Sequence, residues 1–124
     1  MIKLTNILSE IKVNQPVNKM KALTNMLDFD EEMLASMVSF ESLDDFIDEY
    51  GYDSLEEVLT DNYGIDDPQP YIPLITNYYK AIKPGDVAFV GQQIKPISGY
   101  KNAMIIQRDI GEREPIYYFL LLKF

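Results

Sequence analysis

The chain contains no cysteine and no histidine. Without cysteine there is no disulfide framework, no thiolate nucleophile and no cysteine-based zinc or iron–sulfur site, a composition that fits a reducing compartment. Without histidine the commonest general base and the commonest metal ligand are both missing. Catalysis would have to run on Asp, Glu, Lys, Tyr or Ser alone, so the expectation is a protein that is not an enzyme and carries no cofactor. Long apolar runs are scarce too. The longest is formed by the last few residues, too short for a membrane span, and the opening MIKLTNILSEIK mixes charge into its apolar residues, unlike a signal peptide. A cytoplasmic setting, or the interior of an intracellularly assembled particle, is expected, with no membrane partner.

The most informative shortage is of positive charge in the middle of the chain. The net charge is -9 over 124 residues, and it is zoned. From Asp28 to Asp67 the acids are Asp28, Asp30, Glu31, Glu32, Glu41, Asp44, Asp45, Asp48, Glu49, Asp53, Glu56, Glu57, Asp61, Asp66 and Asp67, with no Lys or Arg among them. Both flanks are mildly basic: Lys3, Lys12, Lys19 and Lys21 precede the belt, and Lys80, Lys83, Lys95, Lys101, Arg108, Arg113 and Lys123 lie beyond it. Direct binding to DNA or RNA is disfavoured by this balance, because neutralising phosphate drives such binding.

Within the belt one short pattern is written twice, SLDDFIDEYGYD and then SLEEVLTDNYGID. Ser42 and Ser54 are placed as helix N-caps, with Asp45 and Glu57 completing capping boxes, and Gly51 and Gly64 supply the left-handed residue that ends each helix. Leu43, Phe46, Ile47 and Tyr50 share one face of the first helix and Asp44, Asp45, Asp48 and Glu49 the other. The second copy sets Leu55, Val58 and Leu59 against Glu56, Glu57 and Asp61. The pattern predicts two short helices with buried apolar faces and outward carboxylates.

Elsewhere the spacing predicts an amphipathic helix over 2–13 from Ile2, Leu4, Ile7, Leu8 and Ile11, with Pro16 ending that helix or bending the chain after it. Val17, Met20, Leu23, Met26 and Leu27 form a second helical stripe. Asp28 or Asp30 starts a third helix, with Glu31 set as a capping partner of Asp28 and Met33, Leu34, Met37 and Val38 facing in. The methionines of this region read as core filling, and a Met-lined groove is the other use of such residues. After the Pro-rich break Asp66-Asp67-Pro68-Gln69-Pro70, Tyr71 to Ile82 reads as a helix with Pro73 in its first turn. The period then changes. Val87 to Val90, with a bulge at Gly91, Ala103 to Gln107 and Ile116 to Lys123 read as strands. The last is apolar on both faces and predicts a strand covered on both sides, on which the helices pack and long-range order rests. The predicted architecture is α+β in a single domain: a helical part over 1–67, a break and helix over 68–82, and a three-stranded antiparallel meander over 83–124.

Three uses of the acidic belt can be weighed. The first is a solvated helix face, which any amphipathic helix needs. The second is a docking face for a basic protein. Asp48, Glu49 and Asp61 sit in last turns, where each carboxylate costs up to about 0.5 kcal/mol against the helix dipole, so solubility alone does not account for them. The third is a hard cation, but Asp48-Glu49-Tyr50-Gly51 and Asp61-Asn62-Tyr63-Gly64 put tyrosine third and glycine fourth, out of step with a calcium loop. Asp53-Ser54-Leu55 at a helix start resembles the attachment motif of acyl carrier proteins, with Tyr63-Gly64-Ile65 similar to a later step of that family. The resemblance implies phosphopantetheine on Ser54. That family's serine opens a longer helix in an all-helical domain, whereas this chain ends in strands and repeats the Ser-Leu step at Ser42.

The function these residues suggest is that of a small acidic interaction protein, an inhibitor or adaptor, that docks Asp44, Asp45, Asp48, Glu49, Tyr52, Glu56, Glu57 and Asp61 on a basic partner. That partner could be a nucleic-acid-binding protein, the acidic face then imitating nucleic acid. A compact, lysine-poor acidic block is also common in small phage-encoded proteins. The alternative is a structural subunit of a virion or other assembly, packing through its N-terminal stripe and sheet edge. The oligomeric state is not legible in the sequence.

Overall fold

The computed structural model describes the backbone from Gln15 to Phe124 and side chains from Lys19 onward. The helix expected over 2–13 lies outside the described residues. Helix α1 spans Gln15–Thr24 and includes Pro16 near its described start, a place where a missing N–H costs little. The expected stripe outruns the helix. Met26, Leu27 and Phe29 donate to Leu23, Thr24 and Met26 in tight turns beyond Thr24, and these turns carry Met26 and Phe29 into the core.

Helix α2 (Glu31–Ser39) is capped by Asp30, whose Oδ1 accepts from Met33 N at 2.7 Å. Asp30 is the cap of the two candidates, and Glu31 does not serve Asp28; it reaches across to Arg108 instead. Helix α3 (Leu43–Glu49) and helix α4 (Leu55–Glu57) arise from the doubled motif, α4 running into one wider turn of π geometry at Val58–Asn62. Helix α5 (Ile72–Ala81) begins with Pro73 in its first turn and buries Ile75 and Tyr78.

Strands β1 (Val87–Gly91), β2 (Asn102–Arg108) and β3 (Ile116–Leu122) make a three-stranded antiparallel sheet. The α+β class is as expected, but the strand order is β1-β3-β2, not the sequential order of a meander. Only β2 and β3 are joined as a hairpin. The reason lies in β3 itself: its apolar run has the most to bury, and the centre of the sheet is where a strand has neighbours on both sides. The link from β1 to β2, residues 92–101, is too long for a tight hairpin turn and long enough to pass one intervening strand.

Opposed residues share a face. The register therefore puts Val87, Phe89, Met104, Ile106, Tyr118, Leu120 and Leu122 on an inner face and Ala88, Ala103, Ile105, Gln107, Tyr117, Phe119 and Leu121 on an outer one. The inner residues join Leu23, Met26, Met33, Leu34, Met37, Phe46, Val58, Leu59, Ile75 and Tyr78 in one core. Burial on both faces holds only at the end of β3, where Leu120, Leu121 and Leu122 are all buried; near its start Tyr117 is 44% exposed. The register of β1 slips between Phe89 and Gly91, the bulge anticipated at that glycine, whose φ is 84°.

Two polar links tie helices to sheet. Arg108 Nε meets Glu31 Oε1 at 2.6 Å, and its terminal nitrogen donates to the carbonyls of Leu27 (2.7 Å) and Phe29. At the other end of the sheet Lys19 Nζ lies 2.6 Å from Asp86 Oδ2 and over the ring of Phe124. No helix among the described residues is long and apolar enough to cross a membrane.

Candidate functional site

The two copies of the repeat are built alike. Ser42 Oγ accepts from Asp45 N at 3.1 Å, and Ser54 Oγ accepts from Glu57 N at 3.3 Å, so each serine satisfies a free donor of its helix's first turn. The Ser54 hydroxyl also donates to Glu57 Oε1 at 3.4 Å. The serine that would carry phosphopantetheine is thus engaged as a cap, and it opens a short helix in a domain with a sheet. Gly51 and Gly64 sit at φ 73° and 68°, ending the two copies with the backbone that glycine adopts most readily.

The tyrosines before those glycines join the copies. Tyr50 and Tyr63 pack edge to face with centroids 5.9 Å apart, and their hydroxyls are 2.8 Å apart. Tyr50 donates onward to Ser36 Oγ at 3.2 Å, so the two tyrosines and the serine form one hydroxyl cluster. The ends of α3 and of the π turn are held together and to α2. Burial and the bond to Tyr50 push the Tyr63 phenol well above the ordinary tyrosine range. The first-copy helix is further seated by Phe40 on Phe46, 5.9 Å between centroids, a contact like a hydrophobic staple but one residue longer.

This frame turns the carboxylates outward. Asp44, Asp45, Asp48, Glu49, Glu56, Glu57 and Asp61 are all exposed, while Tyr52 is half-buried against the core. Asp45, Asp48 and Glu49 line an open cleft of about 410 Å³ together with Ser39, Phe40 and Glu41. Asp44 faces a second, about 300 Å³, shared with Glu41, Ser42, Leu43, Thr76, Tyr79 and Lys80. The second copy lines neither cleft. Glu56 instead accepts from Gln69 Nε2 at 3.2 Å, and Glu57 is drawn to Ser54.

Sequence reading counted Glu41 in the acidic belt without singling it out, and missed Phe40. The signal was present, since an aromatic just ahead of a serine cap is a staple candidate for the helix's first turn. That Lys80 shares a cleft with Asp44 was not foreseeable, because α5 reaches α3 only through tertiary packing.

The ion pairs among the described residues are Lys19–Asp86 and Arg108–Glu31. Glu31 is thereby withdrawn from the acidic belt, and none of Glu41, Asp45, Asp48 and Glu49 has a cationic partner among the described residues. Also among the described residues, no group of three or more acids is arranged to hold a metal ion. Comparison with protein-family models, with curated proteins and with solved structures finds no match to the chain.

Proposed function

We propose that the protein is a non-catalytic acidic interaction protein that docks the carboxylate face of α3 on a basic protein partner, as an inhibitor or adaptor that presents charge where nucleic acid would. One observation carries the reading: Glu41, Asp45, Asp48 and Glu49 open on one cleft with Phe40 beside them and, among the described residues, none of the four is in an ion pair. An Arg or Lys side chain suits that chemistry, its head meeting carboxylates and its stem lying on an aromatic ring. Clustered charge of one sign also speeds association with an opposite surface and makes binding weaken with salt.

The test is capture of partners by the tagged protein at low salt with elution by a salt gradient, beside a variant carrying Asp44→Asn, Asp45→Asn, Asp48→Asn and Glu49→Gln. A basic protein that elutes with salt and is absent from the variant supports the docking face. Capture that is indifferent to salt and to the amides sinks it. The exposed apolar side chains of the outer sheet face, Ile105 and Tyr117 above all, favour a second reading, a structural subunit that packs through its sheet. Under that reading the amides are silent.

A further inference from the structure

The two edges of the sheet differ. β1 is interrupted by the slip at Gly91, a feature that blunts an edge against further pairing. β2 pairs with β3 in unbroken register from Asn102 to Arg108, contains no proline, and has no second strand beside it among the described residues. Its outer-face side chains Ala103, Ile105 and Gln107 are exposed, and Ile105, at 59%, is the most exposed of the large apolar residues described. An open, regular edge carrying an exposed isoleucine is a template for another strand.

The sequence of that edge specifies which strand. Residues 101–109 read KNAMIIQRD. Turned antiparallel on itself about Ile105, this segment sets Ile105 against Ile105, Met104 against Ile106 and Ala103 against Gln107. At each end Lys101 then falls opposite Asp109 of the other copy. Opposite charges therefore meet twice around an apolar centre, and such directly opposed pairs favour a register. Both residues are exposed, and neither forms an ion pair among the described residues; Asp109 accepts only from Gln107 Nε2 of its own chain, at 3.1 Å. Along the sequence the edge lies in the mildly basic part of the chain, and at its end Arg108 is already paired with Glu31.

We infer that β2 is a self-association edge: two copies pair β2 to β2 antiparallel about a twofold axis at Ile105, making one sheet in the order β1-β3-β2-β2-β3-β1. The interface is isologous and closes at two subunits. No residue of β2 lines either α3 cleft, and the pairing does not depend on their having a partner.

Sedimentation equilibrium of the full chain tests this, run up to roughly 100 μM, where an interface of micromolar affinity is filled. The expected mass is twice the 14.3 kDa of one chain. Ile105→Lys, which opposes two cations at the axis, is expected to return the single-chain mass with its far-ultraviolet circular dichroism intact. Lys101→Asp and Asp109→Lys are each expected to weaken the dimer, and the double reversal to restore it, because it recreates both opposed pairs. A single-chain mass at every concentration overturns the inference. So does a dimer that survives Ile105→Lys, and so does failure of the double reversal to rescue what the single reversals lose.

Discussion

Replacing Arg108 by leucine perturbs the join between the N-terminal helices and the sheet at one atom group. The guanidinium donates to the carbonyls of Leu27 and Phe29, in the tight turns between α1 and α2, and pairs with Glu31 at the start of α2. These carbonyls lie outside regular helix, so losing the donor leaves two part-buried acceptors short of a partner at about 1 kcal/mol or somewhat more apiece. The ion pair itself adds less. Its side chains are 25% and 28% exposed, and a pair so open to solvent contributes about 0.5–1 kcal/mol after screening. The sum is about 3 kcal/mol, a large fraction of the roughly 5–15 kcal/mol that holds a domain folded. Glu31→Gln, which spares both carbonyls, should cost no more than about 1 kcal/mol. Urea denaturation followed by circular dichroism reads both, with an unchanged slope showing that the same surface is exposed on unfolding. If Arg108→Leu lies within about 1 kcal/mol of the wild type, or if Glu31→Gln costs as much as Arg108→Leu, then capping of the turn carbonyls is not what the arginine does.

Two further predictions concern the ends of elements. Burial pushes the Asp86 carboxyl up, but hydrogen bonds from Lys19 Nζ and Lys83 N, together with the charges of Lys19 and Lys123, outweigh it and hold the group below the ordinary aspartate range. A depressed carboxylate stabilises the fold above its unfolded pKa and loses that contribution as pH falls through the folded one, so Asp86→Asn should flatten the acid limb of a stability–pH curve; an unchanged limb refutes the linkage. At Gly64, φ is 68° and nothing lies within 4 Å of an added Cβ, so Gly64→Ala meets no clash and should cost only the left-handed backbone penalty, about 1 kcal/mol, read as a lowered urea midpoint. A neutral or stabilising result would mean the second copy of the repeat can end without that conformation.

Local chemistry was enough to place most elements. The two Ser caps, the two Tyr-Gly ends, the first-turn Pro73 and the bulge at Gly91 each depend on residues within a few positions of one another, and each is where its sequence signal sits. The outward set of carboxylates arises in the same way, because helical spacing fixes which side chains oppose Phe46, Leu55 and Val58 once those are buried.

The amino-acid sequence by itself therefore determined where most of the described elements lie, the α+β class and the zoning of charge, but not the early end of α1 or the π turn after α4. Tertiary structure alone decided the strand order, since antiparallel pairing is compatible with β3 at an edge or at the centre and only competition among all three strands for its apolar faces settles it. It likewise decided that Glu31 serves Arg108 rather than a neighbouring cap, a partner 77 residues away that no local pattern signals. And it divided the acidic belt, gathering Asp45, Asp48 and Glu49 with Phe40 and Glu41 on one cleft while leaving Glu56 to Gln69, because the relative placement of two capped helices is set by the tyrosine contact and the core beneath them.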